Sequence, residues 1–299
     1  MAQVTLLISI IVAGMSGLAA QPLTFRAGVD VTTFGVTVVD RKGDVVADLT
    51  RDDFVLVEDG RAQDVRYFAR GDGDASPELH VGLMLDASGS MSNDLRLARS
   101  AAIKFLNLLP EAEDITLVDF DTQVRITRYP QLDFPRLIER IRGRDADGFT
   151  ALYDALGTYL DGAQEQDGRK ILVMYTDGGD TRSVLRFHEV LTLLKASQVT
   201  VYAIGLVDRA GSARLELQRR LREIVETTGG QVFFANAMKD VDEAYAKVLA
   251  DIKGQYHLGY LSSNPAADGG WRKVEITIAR PGLRFRTRKG YFAPFRPSQ

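Results

Sequence analysis

The stretch LMLDASGSM, residues 83–91, is an apolar run that stops on an aspartate and is followed by two serines spaced by one glycine. An apolar run without polar alternation is how a strand covered on both faces reads, and such strands belong to parallel sheets. Working outward, further strand candidates are HVGLMLD (80–86, overlapping the run), DITLVDFD (114–121), QVRITRY (123–129), KILVMYTD (170–177), VTVYAIGL (199–206) and QVFFAN (231–236). Amphipathic segments between them predict helices over residues 94–109, 151–164, 184–197, 213–228 and 241–253. Val241, Ala244, Tyr245, Val248, Leu249 and Ile252 put one apolar face on the last of these. Strands and helices alternating at this spacing predict an α/β fold with a Rossmann-like, doubly wound, mostly parallel sheet.

The flanks read differently. Residues 29–70 alternate apolar and polar positions, with turn signals at Arg41-Lys42-Gly43 and at Asp59-Gly60, between FVLVE and RAQDVRYF. A polar linker, residues 71–77, follows. After Gly254 the segments YHLGYLSS, WRKVEITIA and LRFRTRKGYFA return to strand texture. A flanking antiparallel β-sandwich-like domain, built from both chain ends, is therefore expected. The expected boundaries are 1–20, a signal peptide; 21–75, an N-terminal β region; 76–254, the α/β domain; and 255–299, a C-terminal β region packing with the N-terminal one. The signal reading rests on residues 1–25, which carry no charge, with an apolar run over 4–12 and small residues up to Ala20. It predicts a secreted or periplasmic protein. No Lys or Arg precedes the apolar run, so a mis-assigned start and an uncleaved N-terminal membrane anchor are the alternatives.

Composition removes several function classes. The 37 Lys and Arg are offset by 40 Asp and Glu, for a formal charge of -3, which leaves no basic face for nucleic acid. The absence of cysteine removes disulfides, thiolate zinc sites and cysteine nucleophiles. The three histidines, His80, His188 and His257, lie far apart in the chain, and nothing pairs them with a nucleophile.

In an open α/β sheet, ligands sit beyond the carboxyl ends of the strands, where the strand order reverses. LMLDASGSM closes the first α/β strand and VMYTDGGD the fourth, and DADGFTALYDAL lies between them in sequence. Three loops thus converge, carrying Asp86, Ser88, Ser90, Thr150 and Asp177. All five offer oxygen. Two carboxylates with three hydroxyls are hard ligands suited to Mg²⁺, or Mn²⁺, and fit the larger Ca²⁺ cage of about seven oxygens less well.

Asp86-x-Ser88-x-Ser90, Thr150 in a G-x-T-x-L-x-D-A-L context, and Thr176-Asp177-Gly178 resemble the metal-ion-dependent adhesion site of von Willebrand factor type A domains, over residues 79–254. The flanks, DFVLVEDGRAQDVRYF before and YHLGYLSS through RKGYFA after, are similar to the bacterial VWFA-related Acidobacterial domain family. The resemblance implies that Ser88 and Ser90 ligate the metal directly. Asp86, Thr150 and Asp177 would ligate it directly or through water, and a partner protein's Asp or Glu would complete the shell. It implies an adhesion-type protein-binding module; with the signal reading this gives an exported one, with no membrane span in the mature chain unless the N-terminal segment stays uncleaved.

Other readings compete for the same residues. Asp86, or Ser92, Asn93 or Asp94, could cap the next helix, and Thr150 could cap another. Asp119, Asp121 and Asp180 read as solvated loop or strand-end residues and Asp154 as a helix-surface or packing residue. Trp271 reads as an anchor of the sandwich core, and the basic run RFRTRKG (284–290) as the solvated face of a strand, with an anion site as the lesser alternative. A structural cell-envelope module with a vestigial or stabilising metal site is the rival function. A Mg²⁺-dependent hydrolase fits poorly: phosphoryl transfer through Asp86 would want an acid at position 88, which is serine, and Ser88 stands in D-A-S-G-S rather than G-x-S-x-G.

Overall fold

The computed structural model describes residues 31–73, 76–109, 112–143, 145–206 and 211–295. The expected signal segment lies outside them. The first described elements are β1 (Val31–Val39), β2 (Phe54–Glu58), β3 (Arg61–Gln63) and β4 (Val65–Arg70). Asp59 at φ 46° and Gly60 at φ 81° join β2 to β3, because a two-residue turn that matches strand twist needs positive φ at both positions.

Next come β5 (Leu79–Asp86), α1 (Leu95–Asn107), β6 (Ala112–Phe120), β7 (Val124–Pro130), α2 (Phe134–Arg142), α3 (Leu152–Ala163), β8 (Arg169–Thr176), α4 (Phe187–Ala196), β9 (Val199–Gly205), α5 (Arg214–Thr227), β10 (Val232–Phe234) and α6 (Met238–Gly254). The strands form one 6-stranded sheet in the order β10-β9-β8-β5-β6-β7, parallel except where β7 folds back against β6. Every residue of β5 and β8 is buried, as expected of central strands covered on both faces. Along β5, Leu83 and Leu85 face a core shared with α1, α2 and α6, while Met84 faces one shared with α3, α4 and α5. The sheet is doubly wound. Its strand order reverses at β5, between β8 and β6, so Asp86 ends on the crevice.

Helix α2 had no counterpart among the expected helices. Its signals were present: Pro135 in the first turn, and Leu137 and Ile141 one turn apart as its buried residues. It is short enough that flanking polar residues masked them.

The remaining strands are β11 (Tyr256–Leu261), β12 (Trp271–Ile278), β13 (Arg284–Arg286) and β14 (Gly290–Phe292). They pair with the N-terminal strands in two 4-stranded sheets, β13-β1-β11-β4 and β14-β12-β2-β3. Phe34, Val36, Tyr256, Leu258 and Tyr260 from the first sheet meet Phe54, Leu56, Val274 and Ile276 from the second in one core. The expected sandwich from both chain ends is thus present. Buried Glu58 is satisfied inside it by hydroxyls, accepting from Tyr260 at 2.6 Å and Tyr291 at 2.9 Å.

Two expectations fail here. Trp271 does not anchor the core: it is 37% exposed and packs edge-on against Phe292 at 5.0 Å, because β12 turns Arg272, Val274 and Ile276 inward instead. The basic run 284–290 is not simply a solvated face. Arg286 donates to buried Asp251 of α6, and Arg288 lies over the Phe34 ring at 4.4 Å while donating to the Thr33 carbonyl. Loss of solvent is offset by these partners, and the Arg286–Asp251 pair joins the sandwich to the α/β layer.

Candidate metal centre

Asp86 ends β5 with no solvent exposure. Its Oδ1 accepts from the Ser88 N–H at 3.0 Å and the Ser88 hydroxyl at 2.6 Å, and its Oδ2 accepts from the Thr176 hydroxyl at 2.7 Å. Ser88 Oγ lies 3.1 Å from Ser90 Oγ. Three of the expected residues therefore form a chain of touching oxygens running from the buried carboxylate to Ser90, which is exposed. Asp86 caps no helix. The N-cap of α1 is Asp94, and its side chain makes no capping bond.

The second loop is tied to the first through backbone. The Asp147 N–H donates to the Ala87 carbonyl at 2.9 Å, and the Gly89 N–H to the Gly148 carbonyl at 3.1 Å. Gly148 adopts φ 77°, and an added Cβ would stand 2.5 Å from Thr122 Oγ1. Gly148→Ala should therefore cost about 1–2 kcal/mol of stability and displace the Thr150 loop, read by denaturant midpoint. Gly89→Ala is the matched control, since its Cβ would meet nothing closer than 3.4 Å. Equal midpoints for the two variants would refute the positioning role of Gly148.

Thr150 is buried at 6% exposure. It is not a helix cap either, since α3 starts from Ala151. Its N–H donates to Thr181 Oγ1 at 3.0 Å, and its carbonyl accepts from the N–H groups of Thr181 and Arg182. Asp177, next after Thr176, is half-buried and accepts from the Gly179 N–H at 2.8 Å. Its charge acts on Asp86. Burial first, and then the Asp177 charge, push the Asp86 carboxyl up to about 6, against the hydrogen bonds from Ser88 and Thr176.

Asp86, Ser88 and Ser90 are thus joined directly, Asp177 reaches Asp86 electrostatically, and Thr150 shares the loop that Gly89 holds. Thr176 was not expected at the site, although the Thr-Asp-Gly triplet held it. Asp119 and Asp121 are not solvated: both are buried, because the β7 fold-back sets Arg125 against them at 3.6 and 3.2 Å, and Arg140 lies 3.1 Å from Asp119. Asp180 accepts from the Tyr153 N–H and the Ser183 hydroxyl. Asp154 accepts from the N–H groups of Val184 and Leu185 and so fixes the loop after β8 to α3.

The donor chemistry fits a hard divalent cation. Among the described residues no Lys, Arg or His makes an ion pair with Asp86 or Asp177, and the groups around Asp86 are hydroxyls and a second carboxylate. Among the same residues, no three His, Asp or Glu side chains cluster as an alternative cage.

The family model described as von Willebrand factor type A domain matches residues 80–247. A search of curated proteins finds no match. Among solved structures, the chain is similar to a von Willebrand factor type A protein from Catenulispora acidiphila, with 13% identity and TM-score 0.50, covering 91% of this chain and 75% of that one. It is similar to the pilus adhesin SpaC of Lactobacillus rhamnosus GG in an open conformation, with 11% identity and TM-score 0.51, covering 81% of this chain and 48% of that one. A mutant PilB minor pilin from Streptococcus sanguinis aligns at 15% identity and TM-score 0.49, covering 61% of this chain and 63% of that one. The chain thus spans less than two thirds of the pilin and about half of the adhesin. At these identities the likeness is one of fold.

Proposed function

We infer a function from the premise that the chain belongs to the von Willebrand factor type A domain family, as the match over residues 80–247 shows. The reading is a divalent-metal-dependent, adhesion-type module that recognises an acidic residue of a partner protein. The observation that carries it is the Asp86 carboxylate, fully buried beside Asp177, with hydroxyls against it and, among the described residues, no ion pair to a basic group. A lone buried carboxylate is costly, and a second negative charge nearby makes it more so. A cation bound there cancels both charges. Asp86, Ser88, Ser90, Thr150 and Asp177 would hold Mg²⁺ or Mn²⁺, and the ion would supply a position for an incoming carboxylate.

The rim supports a protein partner. Phe149, beside buried Thr150, is 62% exposed, and Val184, in the loop after β8, is 89% exposed. Large exposed apolar side chains flanking a polar site suit a protein surface better than a small solute. The likeness in fold to a pilus adhesin accords with such a role outside the cytoplasm. No described helix is long and apolar enough to cross a membrane. The reading includes no catalytic step: no histidine stands at the site, and position 88 is a serine where phosphoryl transfer would want an acid.

The test is a display selection of peptides on the Mn²⁺-loaded full chain, followed by titration of a selected peptide. Binding should need the peptide's Asp or Glu and disappear with chelator. Phe149→Ala should weaken it about tenfold while leaving Mn²⁺ affinity unchanged. Metal binding with no carboxylate-dependent peptide would leave a stabilising ion and overturn the adhesive reading.

A further inference from the structure

Where the sandwich meets the amino end of the parallel sheet lies a cavity of about 360 Å³, large enough for a small solute. Strands β1, β4 and β11 wall one side, and β8 and β9 the other. It is remote from the metal centre. Leu79, at the start of β5, pairs with Arg169 at the cavity, so the length of β5, about 23 Å at ~3.3 Å per residue, separates it from Asp86.

Arg169, Lys170, Arg288 and His257 line this space, and no Asp or Glu stands among its lining residues. Arg169, Lys170 and His257 are 6%, 9% and 6% exposed. Backbone carbonyls hold the cations. Lys170 Nζ donates to Gln166 O at 2.6 Å, and Arg288 donates to Thr33 O at 2.7 Å and Ser197 O at 3.3 Å. Among the described residues neither makes an ion pair with a carboxylate; exposed Asp167 acts on Lys170 only at longer range. Lys170 and Arg288 also repel each other, and burial drives the Lys170 ammonium below its ordinary range.

His257 adds an independent sign. Burial, and then the Arg169 charge, push its imidazole down to about 3, so it is neutral at pH 7. Among the described residues its Nε2 has no hydrogen-bond partner. A buried polar atom left unpaired is costly, and buried like charges without an ion pair add to that. One ligand class would relieve both costs.

We propose that this interlayer cavity binds a small-molecule oxyanion, a phosphate or carboxylate group held by Lys170 and Arg288 with His257 Nε2–H as a further donor. The site stands on both layers at once. Thr33 and His257 come from the sandwich, Lys170 and Thr200 from the parallel sheet, so a bound anion would tie the layers together. It is independent of the metal reading.

The test uses the full chain with inorganic phosphate in one arm and succinate in the other, each against chloride at matched ionic strength. Either oxyanion at millimolar concentration should raise the melting temperature and shift the His257 ring nitrogens in long-range ¹⁵N spectra, assigned with His257→Gln. The arm with the larger effect identifies the group. Lys170→Met keeps most of the buried stem and should weaken the response about tenfold, the loss of one charge-assisted hydrogen bond. No His257 shift in the wild type with either oxyanion overturns the proposal, as does a folded Lys170→Met protein that titrates like the wild type. The His257 shift needs no variant, so it decides even if Lys170→Met does not fold.

Discussion

Asp86→Asn should raise the stability of the chelator-treated protein at pH 7 by about 2 kcal/mol while abolishing any stabilisation by Mg²⁺ or Mn²⁺. The folded carboxyl titrates at about 6, chiefly because it is buried, whereas an unfolded aspartate titrates near 3.9. The folded state therefore binds the proton more tightly. Stability falls as pH rises from about 4 to about 6 and stays lower above that, by about 3 kcal/mol for a shift of roughly two units. The amide carries no charge, so the variant escapes this loss. It keeps an oxygen for Ser88 but faces the Thr176 hydroxyl with an N–H₂ group, which offsets about 1 kcal/mol. Below about pH 4 both states of the wild type are protonated, and the advantage of the variant vanishes.

The metal response should run the other way. A cation at 100 times its Kd adds about 2.7 kcal/mol to the wild type, and the variant loses a charged ligand. Denaturant titrations at pH 4 and pH 7, with chelator and with Mg²⁺, read both effects. An Asp86→Asn protein no more stable than the wild type at pH 7, or one that keeps the full Mg²⁺ gain, would sink the assignment.

Arg286→Leu should destabilise the fold by about 3–4 kcal/mol at pH 7. Asp251, on α6, is 4% exposed, and burial drives its carboxyl above the ordinary range while Arg286 pulls it back. Removing the guanidinium leaves a buried carboxylate without its ion pair, where α6 meets β13. The sign with pH follows. The Asp251 pKa in the variant rises further above its unfolded value, so the deficit should shrink as the medium is acidified and the carboxyl takes a proton. Adding Asp251→Leu should recover most of the loss, since an apolar pair of similar volume can replace a buried ion pair at little cost. Calorimetric melting of the single and double variants at two pH values checks this. A single variant within 1 kcal/mol of the wild type would show the pair to be surface-like, as exposed pairs contribute about 0–1 kcal/mol.

Much of this molecule was legible in its sequence, and the reason is locality. The unbroken apolar run of β5 stated burial on both faces before any partner strand was known, and the alternation in FVLVE and WRKVEITIA stated a half-covered sheet. Asp59-Gly60 stated its turn because few residues tolerate positive φ. The Asp86, Ser88 and Ser90 spacing needed no more than a strand end and a glycine to bring its oxygens together. Helix α2 left weaker signals, Pro135 and the Leu137 and Ile141 pair, because it spans only 9 residues.

What tertiary structure alone decided is the direction in which ambiguous side chains point. Trp271 and Arg272 are neighbours, and only pairing with Glu58, Val57 and Leu56 along β2 determined that the tryptophan faces out and the arginine in. Asp119 and Asp121 read as solvated until β7 folded back and set Arg125 against them. Arg286 and Arg288 read as a wet strand face until α6 supplied Asp251 and β1 supplied Thr33. The interlayer cavity draws Thr33, Lys170, His257 and Arg288 from segments far apart in the chain. A periodicity of two or of 3.6 residues is a property of neighbours along the chain, so it can state that a face is buried; what covers that face is set by long-range register, which no local pattern encodes.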